Sequence, residues 1–238
     1  MKRDEFATPK EKVRKTAYIT FVIDESGSMG STKDATITGI NEQIQQIQKD
    51  FGSKKDDIET IVSLIKFNAT PTAVFMHKPL EDLKEITAED YTPGGNTAMY
   101  DAVGFAINKL KDRKDIDKDT TSSLLIVVSD GQENASKEFN SSSLAKVVGK
   151  LNETKRWTIT YLGANQDLSQ VSQSSGLLRS NMASFDSHST KGVTRAFAVN
   201  ARAVSNYASV LQSSEYSFAS NDFYDVAEKE IKKEEEKV

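Results

Sequence analysis

Hydrophobic and polar positions along this chain follow two periods. Blocks of nearly continuous apolar, β-branched and aromatic residues read as buried strands: 17–23 around Tyr18-Ile19-Thr20-Phe21-Val22-Ile23, then 58–67 (IETIVSLIKF), 123–129 (SLLIVVS) and 157–162 (WTITYL). Between them the apolar positions recur every three or four residues. Ile37, Ile40, Ile44 and Ile47 mark a helix over about 32–51. Further helices are predicted over about 98–112, 142–155, 168–175 and 190–212, the last carrying Val193, Phe197, Val204 and Tyr207. Residues 72–77 follow the turn Asn68-Ala69-Thr70-Pro71 and predict an antiparallel hairpin at a sheet edge. Residues 79–91 read as a connection with at most a short helix, and 181–186 as a short last strand. Strands alternating with helices imply an α/β fold, a mostly parallel sheet covered on both faces and joined by right-handed crossovers. Residues 1–15 form a charged N-terminal extension, and 213–238 a charged C-terminal tail whose end, EKEIKKEEEKV, reads as a solvated helix or disordered tail.

The polar residues matter most where the apolar blocks stop. The first block ends at Asp24, followed by Glu25-Ser26-Gly27-Ser28-Met29-Gly30. Asp24, Ser26 and Ser28 alternate, so a turning backbone brings their side chains towards one point. Gly27 is expected to supply backbone angles that other residues resist. Three short oxygen-bearing side chains suit a hard cation such as Mg2+ or Mn2+ rather than zinc. The competing reading is a polar turn in which Asp and Ser satisfy backbone donors. Two more loops share the chemistry: Thr92-Pro93-Gly94-Gly95-Asn96-Thr97 offers Thr97, and Asp130-Gly131-Gln132-Glu133-Asn134 offers Asp130. Open α/β sheets place ligands at the carboxyl ends of strands. If strands 17–23 and 123–129 are neighbours, three hydroxyls and two carboxylates meet at one rim.

Composition narrows the function classes. The chain has 238 residues, 37% of them hydrophobic, which suits one medium domain with tails. A net charge of −4 gives no electrostatic footprint for nucleic acid. With no cysteine there are no disulfides, no thiol catalysis and no Cys-based zinc site; two distant histidines, His77 and His188, argue against a His-based one. No apolar run approaches the ~18 residues of a membrane span. The N-terminal MKRDEFATPKEKVRK lacks the apolar core of a secretory signal, so a cytoplasmic location is expected.

DESGSM after the first strand, TPGGNTAMYDA in the middle and IVVSDGQEN at the next central strand resemble the von Willebrand factor type A (VWA) domain. The resemblance covers about residues 16–212 and matches all five positions of that family's metal-ion-dependent adhesion site (MIDAS): Asp24, Ser26, Ser28, Thr97 and Asp130. It implies a Rossmann-like three-layer α/β/α fold, with a six-stranded sheet of five parallel strands and one antiparallel edge strand. It also implies Mg2+, or else Mn2+ or Ca2+, contacted by the two serines and the threonine, with the aspartates often acting through water. Neutral hydroxyl ligands leave a divalent ion electrophilic, and carboxylates behind them balance its charge without closing its open position. A partner protein's Asp or Glu then completes the coordination. The resemblance is to stand-alone bacterial and phage members, which act as adaptors beside AAA+ ATPases or in stress-resistance and signalling complexes. The implied function is an interaction module, not an enzyme. A metal-assisted hydrolase or phosphotransferase using the same loops is the alternative. The three loops hold no D-x-D nucleophile and no histidine lies near them, and the chain has no Walker sequence. A nucleic-acid-associated role runs against the acidic balance.

The other residues carry plainer expectations. Glu25 should be an exposed loop residue, since alternation points it away from Asp24. Gly94 and Gly95 should be backbone devices. Asn96 and Glu133 should shape the rim and select partners, and Asp101 should cap or hydrogen-bond inside the start of its helix rather than touch metal. His77 and His188 should be surface or satisfied residues, and Trp157 core.

Overall fold

A computed structural model describes residues 14–53, 57–164, 166–186, 189–213 and 222–235. Six strands, β1 (Lys15–Asp24), β2 (Ile58–Phe67), β3 (Pro71–Pro79), β4 (Thr121–Ser129), β5 (Trp157–Ala164) and β6 (Met182–Phe185), form one sheet in the order β3-β2-β1-β4-β5-β6. β3 runs antiparallel to β2, and every other pairing is parallel. This is the expected three-layer α/β architecture with one antiparallel edge strand.

Among the described residues six helices cover it: α1 (Lys33–Gly52), α2 (Met99–Lys111), α3 (Ser141–Glu153), α4 (Leu168–Ser175), α5 (Thr190–Ser213) and α6 (Phe223–Glu235). The pleat sorts β1 residue by residue. Ile19, Phe21 and Ile23 pack with Ile40, Ile44 and Ile47 of α1 and with Phe197, Val204 and Tyr207 of α5. Tyr18 and Val22 face the opposite layer, with Val103 and Ile107 of α2, Leu144 and Val148 of α3, and Trp157. α1 and α5 meet at Gly39, where a Cβ would lie 2.2 Å from the Phe197 ring, so any larger residue would push the helices apart.

The chain runs outward from β1 through β2 to β3, and on the other side from β4 through β5 to β6. The order therefore reverses between β1 and β4. The crevice at the carboxyl ends of these two strands is where such sheets bind ligands. Ile23 of β1 pairs with Val128 of β4, so Asp24, the last residue of β1, and Asp130, the residue after β4, stand at neighbouring strand ends.

Two expectations change. The C-terminal stretch is not merely solvated: α6 buries Phe223, Tyr224 and Ala227. Tyr224 OH donates to Asn200 Oδ1 (3.0 Å), Asn200 Nδ2 donates to Gln43 Oε1 (2.9 Å), and Gln43 Nε2 donates to the Phe197 carbonyl (2.7 Å). The apolar residues crowd into the first turns of α6, and the charge run from Glu228 hides them in the sequence. At the other end, residues 1–13 of the expected extension lie outside the described residues. Lys15 already belongs to β1, and its Nζ donates to the Leu211 carbonyl at 2.6 Å.

Candidate metal centre

The first loop folds as a 3-10 turn over Gly27–Thr32 that runs straight into α1. This turn carries Ser28 back over the end of β1. Ser26 Oγ and Ser28 Oγ lie 3.0 Å apart, and Ser28 Oγ donates to Asp130 Oδ1 at 2.6 Å. Two loops a hundred residues apart in sequence thus meet through their side-chain oxygens. Thr97 closes the group: a Cβ built on Gly131 would lie 2.5 Å from Thr97 Oγ1 and 3.2 Å from Asp24 Oδ2. All five residues read from the sequence, Asp24, Ser26, Ser28, Thr97 and Asp130, converge on one rim. Ser28 is exposed and Asp130 partly so, which opens the cluster to solvent.

Asp24 forms the floor. It is wholly buried, and its oxygens accept from Ser26 N (2.7 Å) and Ser129 Oγ (2.6 Å). Burial pushes its carboxyl above the usual carboxylate range, hydrogen bonds from Ser129 and Ser26 pull the other way, and the neighbouring Asp130 adds to the rise. No lysine or arginine pairs with Asp24 among the described residues. A buried carboxylate held by a hydroxyl and an amide, with no lysine or arginine on it and a second carboxylate nearby, is a hard oxygen donor short of positive charge. The donors fit a divalent cation of the Mg2+ or Ca2+ type. Among the described residues no three His, Asp or Glu side chains converge, so hydroxyls make up most of the set.

The loops are also clasped to one another through the backbone. Gly27 N donates to the Gly95 carbonyl (3.1 Å), and Gly94 N to the Glu25 carbonyl (2.8 Å). Thr97 and Asn134 hold each other twice, Thr97 N on Asn134 Oδ1 (2.9 Å) and Asn134 N on the Thr97 carbonyl (3.0 Å). Gly95, with φ of 79°, is the glycine that needs the left-handed region. Gly27 does not use positive φ. It serves by its N–H, which corrects the expectation for that residue.

Several supporting residues escaped the sequence reading or were misread. Tyr91 OH donates to the Asp24 carbonyl at 2.6 Å, and Ser129 bonds the Asp24 carboxylate. Glu25 is 5% exposed rather than an exposed loop residue. Its carboxylate takes Lys66 Nζ at 2.9 Å and the Thr92 amide, so it ties the second loop to β2. Asp101 does not cap its own helix; it accepts from the amides of Lys137, Glu138 and Phe139 and fixes the segment leading to α3. Glu133 accepts from Tyr100 N at the start of α2 and from Ala135 N and Ser136 N. Asn96 is exposed at the rim, Trp157 is core, and His188 lies outside the described residues.

A family model described as the von Willebrand factor type A domain matches residues 19–195. No curated protein sequence matches. Among solved structures, the chain is similar to the vWF domain of the type V pili tip protein Mfa5 from Porphyromonas gingivalis, with a TM-score of 0.58, 10% identity and coverage of 81% of this chain and 96% of that one. It is also similar to the pilus adhesin SpaC from Lactobacillus rhamnosus GG (TM-score 0.59, 13% identity, 85% of this chain and 31% of that one). A third is proximal thread matrix protein 1 from the mussel byssus with a zinc-occupied MIDAS motif (TM-score 0.52, 16% identity, 77% of this chain and 44% of that one). The chain therefore spans less than half the length of the last two, and at these identities the likeness is one of fold.

Proposed function

This chain belongs to the von Willebrand factor type A domain family, and on that premise we propose that it is a metal-ion-dependent protein-interaction module. Asp24, Ser26, Ser28, Thr97 and Asp130 hold a divalent cation, Mg2+ or else Mn2+ or Ca2+. An Asp or Glu of a partner protein completes its coordination. The observation that carries this reading is the Ser26–Ser28–Asp130 contact at 3.0 and 2.6 Å, made across two loops and open to solvent. The ion, when bound, supplies an electrophilic position that a carboxylate can fill. Asp24 balances charge from below, and Ser129 and Tyr91 hold Asp24 in place. The zinc in the MIDAS motif of the mussel byssus protein, and the pilus adhesin SpaC, support a reading of metal-linked binding. We place the module in the cytoplasm, with an AAA+ ATPase or a stress-resistance or signalling complex as the partner class.

The test is a pull-down with the full chain in Mg2+ and in EDTA. Partners retained only in Mg2+, and lost when their acidic contact residue becomes Asn or Gln, are the expected result. A partner held equally in EDTA overturns the mechanism. Steady hydrolysis of a generic phosphate ester in Mn2+, absent in Asp24→Ala, would instead make the protein an enzyme.

A further inference from the structure

Gly131 packs against the metal centre, with Thr97 Oγ1 and Asp24 Oδ2 in the space a side chain would need. The peptides on either side of it are both held. Gly131 N donates to Ser129 Oγ at 3.3 Å. The Gly131 carbonyl accepts from Gln166 Nε2 at 2.6 Å. Gln166 lies on the connection from β5 to α4, a fourth loop outside the three that carry the oxygen donors. Its amide is itself oriented, because Tyr161 OH donates to Gln166 Oε1 at 2.7 Å, and Tyr161 is fully buried on β5. β5, Tyr161, Gln166 and Gly131 form one continuous strut that ends beside Asp130.

We propose that Gln166 is a positioning residue of the metal centre, holding the Gly131–Gln132 peptide, and through Gly131 the turn that follows Asp130, so that the Asp130 carboxylate stays on Ser28. This rests on the metal-binding reading above. Glycine is the residue whose peptide turns most freely, so a loop built on Gly131 needs an external hold. The chemistry of the hold selects an amide. The Gly131 carbonyl requires a donor and the Tyr161 hydroxyl an acceptor; glutamine supplies both, whereas a glutamate supplies only the second. Supports of this kind set how well a site is preorganised for its ion.

The experiment measures Mg2+ binding by calorimetry and metal-free thermal denaturation for the full chain and four variants. Gln166→Ala should weaken Mg2+ by about 10-fold, the loss typical of a removed support, with the metal-free melting temperature almost unchanged. Gln166→Glu should weaken it as well, although an added negative charge by itself would tighten cation binding. The sign therefore separates positioning from electrostatics. Tyr161→Phe should weaken Mg2+ less, and the double variant Tyr161→Phe/Gln166→Ala should bind no worse than Gln166→Ala alone, as for two links of one strut. Mg2+ affinity unchanged in Gln166→Ala, or raised in Gln166→Glu, overturns the proposal while the metal centre stands. If Gln166→Ala loses fold as well as affinity, Tyr161→Phe decides, and wild-type affinity there overturns the strut. A wild-type chain that takes up no Mg2+ overturns the metal reading itself.

Discussion

Two buried polar clusters on this sheet are built in opposite ways. Between α1, α5 and α6, Gln43, Asn200 and Tyr224 are all but inaccessible, and they pass hydrogen bonds from one to the next until the chain ends on a backbone carbonyl. Every member is neutral, and Thr160 Oγ1 lies 3.3 Å from Tyr224 OH to complete the line. At the rim, Asp24 is just as buried and just as well hydrogen-bonded, yet it is a carboxylate with a second carboxylate beside it. The first cluster is closed in geometry and in charge. Such groups cost little to bury and determine which helices meet. In the second, the Asp24 carboxylate is hydrogen-bonded but pairs with no lysine or arginine among the described residues, and that positive charge is what a ligand can bring. Asp24 and the neutral relay, alike in burial, can thus be told apart by what remains uncompensated.

The sharpest test removes the charge and leaves the shape. Asp24→Asn keeps an acceptor for Ser26 N and should lower Mg2+ affinity by about 100-fold, the upper end for loss of a supporting carboxylate. The metal-free protein should melt at or above the wild-type temperature, since a buried charge has gone. A metal-free Asp24→Asn that is clearly less stable than wild type would mean the carboxylate serves the fold. The mirror experiment is Asn200→Ala. It strands Gln43 Oε1 in the core, leaves Tyr224 OH with Thr160 alone, and should cost about 2–3 kcal/mol in chemical denaturation. Mg2+ affinity should stay the same, and a matching loss of affinity would show that the two clusters are coupled.

This contrast explains what could be read in advance. The sheet and the five rim residues were legible because apolar blocks break off sharply at Asp24 and at Asp130, and small polar residues follow at once. Residues that act at a distance were not. Ser129 reads as the last position of a strand, and Tyr91 as a loop aromatic; only their tertiary partners, Asp24 in both cases, give them a role. Glu25 was misplaced because alternation holds only while the strand continues. The chain turns after Asp24, and Lys66 and Thr92 then capture the side chain. The neutral relay was invisible because Gln43, Asn200 and Tyr224 each look like an ordinary helix residue. α6 was hidden by its own charges.

Tyr224→Phe is the milder probe of the neutral cluster. The ring keeps its contacts with Phe223, 5.0 Å between centroids, and only the hydroxyl is lost. Asn200 Oδ1 then lacks its donor, so the expected loss is about 1 kcal/mol. α6 should stay docked, which resistance of its peptide bonds to limited proteolysis would report. Release of α6 in this variant would mean that the hydrogen bond, not the apolar stripe, holds the helix.

His77 falls between the two types and gives the smallest effect. Its backbone sits at φ 49°, its Nε2 is buried without a partner, and its ring meets the edge of Tyr18. Burial lowers its pKa below the usual 6.5, and the nearby charges of Arg113 and Lys109 lower it further, against an opposing pull from Asp112. The folded protein therefore binds the proton less readily than the unfolded chain. Between the lowered folded value and 6.5 the unfolded state holds more protons, so this stability is fully present above 6.5 and is lost as pH falls through the window. Asn tolerates the same backbone region and does not titrate, so His77→Asn should flatten this part of the pH profile without unfolding the strand. The stability difference between wild type and His77→Asn, measured by denaturation on both sides of 6.5, should shift against the wild type at the lower pH. A difference independent of pH would place His77 with the neutral, self-satisfied cluster, and leave the rim as the one place among the described residues where burial and charge are set against each other.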